Sequence, residues 1–215
     1  MVEFFKKILR KYRWTSDILE LYFLRRFYLT ETGWLESRFR SRPMDRNRNP
    51  IPWLTYASIY FLNQVLSPEL SLFEYGCGNS TIWFSERVGH VTSVEHDASY
   101  YELIKSSVGT LDNVDLIHFS SKDAYIQAIR STGKKFDVVV VDGRERVECS
   151  KVAAECLTDG GVIIWDNSER DHYHTGVEYL LATGFKKIDF MSHVPIGHHQ
   201  SCTTIFYKAN NCFNI

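Results

Sequence analysis

Four short stretches of this chain combine residue types and spacings that suit chemistry. In "LFEYGCGNST" an apolar run reaches Glu74 and Tyr75, then Gly76 and Gly78 with only Cys77 between them. Glycines so placed mark backbone that bends sharply or lets another molecule come very close. Glu95 stands near the end of "HVTSVEH", 19 residues after Gly76. Asp142 stands near the end of "FDVVVVDG", and Asp166 and Asn167 close "GVIIWDN". At the ends of adjacent strands these three side chains either converge or simply cap turns. The fourth stretch is "IGHHQS", which puts His198 and His199 in a loop.

A strand leading into Gly76 and Gly78, followed by a helix opened by Ser80 and Thr81, places the turn at the carboxyl edge of a sheet. Open α/β sheets bind ligands there. Free N–H groups at the helix start suit an anionic group. Glu95, closing the next strand, is spaced to accept hydrogen bonds from ribose hydroxyls. Together the two elements predict an adenosine-containing cofactor. A dinucleotide site normally carries a third glycine in G-x-G-x-x-G. Thr81 holds that place here. Glu74 would face a pyrophosphate poorly and suits an ammonium group, which favours the methionine part of S-adenosylmethionine over NAD.

The elements that must hold these residues follow from periodicity. Apolar strand candidates are "LFEYG", "HVTSVEH", "VDLIHFS", "FDVVVVDG", "GVIIWDN", "KKIDFM" and "CTTIFYK". Helical stretches fall between them at 80–87, 98–108, 123–131, 147–157 and 173–182. Strand–helix alternation with solidly apolar central strands predicts a doubly wound, mostly parallel α/β sheet covered on both faces. "MSHVPIGHHQS" is too short and too rich in loop formers for a helix, so the last two strands should pair as an antiparallel hairpin. Upstream, residues 53–66 read as a helix ended by Pro68, residues 37–52 as an Arg-rich loop, and residues 16–29 as a helix capped by Ser16 or Asp17. The division expected is a basic helical extension over 1–50 and a cofactor-binding domain over 51–215.

Composition sets outer bounds. The 215 residues are 44% hydrophobic and 14% aromatic, ample for a core. Five cysteines without a CxxC pair argue against a disulfide scaffold or zinc knuckle and for a reducing cytoplasm. No uninterrupted apolar run reaches the roughly 18 residues of a membrane span. The net charge of −1 conceals an asymmetry: residues 1–50 carry 12 Lys/Arg against 6 Asp/Glu, and the remainder 13 against 20. The basic head, amphipathic over its first 14 residues, suits the inner face of an anionic membrane, packing on its own domain, or pairing with a second copy as a homodimer. The acidic body lacks the basic stripe of a nucleic-acid binder.

With these residues in view, the sequence resembles the class I S-adenosylmethionine-dependent methyltransferases over roughly residues 50–215. "FEYGCGNST", "SVEHD", "FDVVVVDG" and "GGVIIWDN" carry the resemblance, and Ser80-Thr81 departs from the general pattern by lacking the third glycine. Within the family, "G-x-G-N-S-T" followed by "VEHD" is similar to a bacterial subgroup related to small-molecule O-methyltransferases. The resemblance implies a seven-stranded Rossmann-like sheet of order 3-2-1-4-5-7-6. It places Glu74, Tyr75, Gly76, Cys77 and Gly78 along the methionine and ribose part, with Ser80 and Thr81 opening the helix. Glu95 would hold the ribose diol, His96 flank the adenine, Ser121 and Asp123 lie near the adenine amine, and Asp142 sit beside the transferred methyl. Catechol-type members have Asp and Asp-Asn at the places of Asp142, Asp166 and Asn167 and bind Mg²⁺ through them, so a Mg²⁺ site is implied.

An electrophilic methyl needs an aligned acceptor, and an acceptor hydroxyl also needs its proton removed. Candidate bases are Asp142, Asp166, His172, His174, His198 and His199. Arg144 and Arg146, just past Asp142, either bind an anionic acceptor or pair with Glu145, Glu148 or Glu169. The expected function is methylation of an oxygen or nitrogen of a small-molecule or sugar-like acceptor. The rivals are an NAD-dependent oxidoreductase or epimerase, and a non-catalytic membrane-associated scaffold.

Overall fold

The computed structural model describes residues 13–215. The amphipathic reading of the first 14 residues falls almost wholly outside them. Seven strands run in the order β3-β2-β1-β4-β5-β7-β6. They are β1 (Ser71–Tyr75), β2 (His90–Glu95), β3 (Val114–His118), β4 (Phe136–Val141), β5 (Leu157–Asp166), β6 (Lys186–His193) and β7 (Gln200–Tyr207). The first five pair in parallel, and β7 runs antiparallel between β5 and β6.

Side chains alternate across each strand, and both faces of the central strands are apolar. Phe73, Tyr75, Val139, Val141, Ile163 and Trp165 pack on one side against helices α6 (Lys122–Ile126), α7 (Ala128–Ser131), α8 (Arg146–Glu155) and α9 (His174–Ala182). Leu72, Val138, Val140, Val162 and Ile164 pack on the other against α3 (Tyr56–Val65) and α4 (Asn79–Ser85). Glu74 shares the parity of Leu72, so it points to the α4 side. Helix α5 (Ala98–Val108) follows β2, its N-cap Asp97 accepting from the amides of Ser99 and Tyr100. β5 starts four residues before its apolar run, with a bulge between Phe136 and Val138. Thr158 donating to Asp137 Oδ1 at 2.9 Å holds that polar start.

Before the sheet lie α1 (Arg13–Phe23), a π-helical turn (Leu24–Leu29) and α2 (Trp34–Arg40). Because α1 is already helical at Arg13, Ser16 and Asp17 lie inside it and cap nothing. α2 corrects the loop expected from residue 37: Ser37 is buried, exchanging hydrogen bonds with Met44 through its hydroxyl at 2.8 Å. Gly33, at φ +79, lets the chain pass Asp45 so closely that a Cβ would stand 2.4 Å from its carbonyl carbon. The segment is strapped to the sheet domain by Trp34 Nε1 donating to Gly197 O and by Asn79 Nδ2 donating to Pro43 O at 2.6 Å. Among the described residues no helix is long and apolar enough to cross a membrane.

Candidate active site

The turn after β1 is built by glycine. Gly76 adopts φ +99, a conformation that side chains disfavour, while its N–H bonds Val94 O at 2.9 Å. Gly143, after β4, abuts it: a Cβ on Gly143 would lie 3.1 Å from Gly76 N. The two turns therefore run side by side, and Asp142 comes next to the glycine turn. Gly78 N–H bonds Thr81 Oγ1 at 3.1 Å, and a Cβ on Gly78 would meet Tyr100 Oη at 3.1 Å.

Two carboxylates back this turn. Glu74 is 1% exposed and accepts from Thr81 Oγ1 at 2.6 Å and from Ser93 Oγ, its register partner on β2, at 2.7 Å. Burial pushes its pKa up to about 7, against the pull of the Ser80, Thr81 and Ser93 hydroxyls. Glu95 Oε1 accepts from the amides of His96 and Asp97 at 2.8 and 2.9 Å and lies 2.7 Å from His96 Nδ1. Its Oε2 faces the Cys77 thiol at 3.5 Å. Burial, with Glu74 and Glu95 alongside, holds Cys77 firmly as the thiol, so it packs rather than attacks.

A cavity of about 460 Å³ opens beside this turn, lined by Arg42, Trp53, Cys77, Gly78, Ser80, Tyr100 and Asp142 among others. Of the residues expected at a cofactor, Cys77, Gly78, Ser80 and Asp142 line it; Glu74, Thr81 and Glu95 lie buried behind the turn. The Tyr75 side chain does not take part. Opposite parity to Glu74 turns its ring into the core against Phe73 and Tyr125, with its hydroxyl on Ile126 O. Ser121 caps α6 and Asp123 is exposed in its first turn; neither lines the cavity. The His96 ring packs edge-on against Tyr125. Arg42 and Tyr100 were not singled out from the sequence: nothing in an Arg-rich segment or a helix surface marks one member as a cavity wall.

A second cavity, of about 380 Å³, lies past Asp142 and is lined by Trp53, Asp142, Arg146, Asp166, Asn167, Arg170 and His199, among others. Trp53 and Asp142 belong to both cavities. His199 reaches the second cavity, whereas exposed His198 packs edge-on against Trp34. Asp142, Asp166 and Asn167 do converge, as adjacent strand ends allow, but the Mg²⁺ expectation fails on chemistry. The guanidinium of Arg146 bonds Asp142 Oδ1 at 2.8 Å and Asn167 Oδ1 at 3.2 Å, and lies 3.9 Å from Asp166 Oδ2. A side-chain cation stands among the would-be ligands. Arg146 thus pairs with none of Glu145, Glu148 and Glu169 but with Asp142, in the turn just before its helix. Asp166, 3% exposed and taking a hydrogen bond from Thr203 at 2.8 Å, is held well above the carboxylate range by burial and by Asp142. Burial raises Asp142 too, with Arg146 and Arg170 pulling it back.

Residues 73–168, from β1 to just past β5, match a family model described as a methyltransferase domain. No curated protein gives a significant match. Among solved structures, precorrin-6y C5,15-methyltransferase from Geobacter metallireducens is 16% identical, with a TM-score of 0.57 over 71% of this chain and 88% of that one. A methyltransferase-like protein from Silicibacter pomeroyi is 23% identical, with a TM-score of 0.54 over 74% and 89%. A Streptococcus mutans protein, provisionally described as a methyltransferase and solved with SAH, is 15% identical, with a TM-score of 0.52 over 69% and 94%.

Proposed function

We propose that this chain is an S-adenosylmethionine-dependent methyltransferase and that it acts on an oxygen of a small-molecule or sugar-like acceptor. One observation carries the reading: two cavities, one at the glycine turn and one at Asp142 and Asp166, share Trp53 and Asp142 as their common wall. A donor in the first and an acceptor in the second would meet there. The second cavity, at about 380 Å³, suits a small molecule rather than a nucleic-acid strand.

The residues fit the cofactor's chemistry. Glu74 is a buried carboxylate for an ammonium group, Glu95 Oε2 takes only the weak Cys77 thiol donor and can accept a ribose hydroxyl, and the glycine turn gives backbone access. When bound, the cofactor supplies an electrophilic sulfonium methyl. Asp142 Oδ1 is engaged by Arg146, which leaves Oδ2 to accept the proton of an acceptor hydroxyl when the O–C bond would form and the methyl's S–C bond break, the neutral thioether S-adenosylhomocysteine leaving. Burial and the neighbouring Asp142 favour the neutral form of Asp166, whose Oδ1 is also taken by Thr203. Alignment across the shared wall does the rest. Thr81 at the third-glycine position supports the same reading against NAD: its hydroxyl is committed to Glu74 and Gly78.

Peripheral contact with an anionic membrane is part of the proposal. Ile18, Leu21, Tyr22, Leu24 and Phe27 are each at least 49% exposed in the basic N-terminal segment. The cofactor assignment is tested by calorimetric titration with S-adenosylhomocysteine and with NAD, using Glu95→Ala as control. Micromolar binding of the former, lost in the variant, is expected; no binding, or preference for NAD, overturns it. Release of S-adenosylhomocysteine in a screen of hydroxylated and amine acceptors then decides the atom methylated.

A further inference from the structure

Arg146 is the first residue of α8, 10% exposed in its side chain, and each of its five N–H donors ends on an oxygen. Nε donates to Gly143 O at 2.9 Å; Nη2 donates to Asp142 O at 3.0 Å and Asp142 Oδ1 at 2.8 Å. Nη1 donates to Asp166 O and, at 3.2 Å, to Asn167 Oδ1. The Tyr173 ring lies 5.5 Å from the guanidinium carbon. Asn167 is itself oriented, since its Nδ2 donates to Ser201 Oγ at 2.9 Å and Ser201 donates to Glu169. Asn167, whose Oδ1 takes one of the guanidinium bonds, adopts φ 55, a left-handed conformation that asparagine tolerates better than most residues. Carboxylate, carboxamide and carbonyl oxygens in this number are what a hard divalent cation selects.

We propose that Arg146 is the resident cation of the acceptor site. It takes the place of a divalent metal, and its removal opens a divalent-cation site among Asp142, Asp166 and Asn167. Arg146 is a positioning residue: it fixes Asp142 Oδ1 and leaves Oδ2 unengaged by the guanidinium, on a residue that lines both cavities. This rests on the reading of Asp142 as the group that meets the acceptor.

The test is Mn²⁺ titration followed by the electron paramagnetic resonance of free Mn²⁺, on wild type, Arg146→Lys, Arg146→Ala and Arg146→Ala with Asp142→Asn. Wild type and Arg146→Lys should bind no Mn²⁺ at this site up to millimolar concentration, and Arg146→Ala should gain one site that Asp142→Asn removes. Wild-type or Arg146→Lys binding that Asp142→Asn abolishes overturns the proposal, and so does a folded Arg146→Ala that binds none. If Arg146→Ala does not fold, wild type and Arg146→Lys alone decide, against the same Asp142→Asn control. Positioning is read separately from ¹³C-aspartate resonances: the Asp142 midpoint should rise by at least about one pH unit in Arg146→Ala and by less in Arg146→Lys. An unmoved midpoint in a folded variant refutes it. Neither readout uses methyl transfer, so inactivity would count against the proposed function and not against this assignment.

Discussion

Replacing Glu74 by glutamine should stabilise the free protein and weaken its cofactor binding at the same pH. Glu74 is 1% exposed, and burial raises its pKa from 4.5 to about 7. A raised acid favours its protonated form in the fold. It therefore costs stability once the unfolded carboxyl ionises above pH 4.5, and the cost grows until about pH 7 and is constant beyond. At about 1.4 kcal/mol per pH unit, the full cost is about 3 kcal/mol. Glu74→Gln keeps an acceptor for Thr81 and Ser93 but cannot ionise. It should raise the melting temperature at pH 8, by roughly 2–4 °C per kcal/mol recovered, and leave it nearly unchanged at pH 4.5. Binding runs the other way, because an ammonium ligand needs the carboxylate. Wild-type affinity for S-adenosylhomocysteine should climb about tenfold per pH unit below pH 7 and level off above it, with proton release on binding. In Glu74→Gln it should be weak across that range. Scanning fluorimetry at the two pH values, with calorimetry in buffers of different ionisation enthalpy, reads both effects. A variant no more stable at pH 8, or wild-type affinity flat from pH 6 to 8, would refute the reasoning.

Other outcomes follow from the same geometry. Asn79→Ala removes the 2.6 Å bond to Pro43 O and should weaken S-adenosylhomocysteine about 2- to 10-fold by calorimetry, with little change in melting. Gly33→Ala forces a Cβ to within 2.4 Å of Asp45 backbone at φ +79. It should cost about 2–4 kcal/mol locally, seen as faster amide exchange in residues 34–50 while the sheet stays protected. Gly176→Ala sets a Cβ 2.4 Å from the buried ring of Trp165 and should lower the melting temperature through about 1–3 kcal/mol of overpacking. The intact chain should co-sediment with anionic vesicles and Leu21→Glu with Phe27→Glu should abolish this; no sedimentation of the intact chain would remove the membrane contact.

The sheet was legible because its central strands are buried on both faces and therefore read as unbroken apolar runs. The helix after β2 was recovered residue for residue, since Asp97 caps it and Gly109 follows it. Legibility failed where tertiary contacts override local signals. α2 forms in an arginine-rich stretch because Ser37 is buried against Met44. The polar start of β5 pairs because Asp137 holds Thr158. At the site, strand parity alone separates Glu74 from Tyr75, and applying it would have kept the Tyr75 ring in the core. Convergence of Asp142, Asp166 and Asn167 followed from strand order, but what stands between them did not. His198 and His199 differ only in which way a loop turns, and no local pattern encodes that.

The saturated guanidinium also bears on supply and selectivity. A metal site is filled to a degree set by ambient ion concentration, and the ions of the Irving–Williams series compete for it. A cation carried on residue 146 is present at unit occupancy in every molecule, cannot be exchanged for another ion, and is withdrawn by no chelator. With all five of its donors engaged, it has none left for a ligand. If the second cavity holds the acceptor as proposed, selection falls to the shape of that cavity and to Arg170 and His199 at its wall, not to chelation by the central charge.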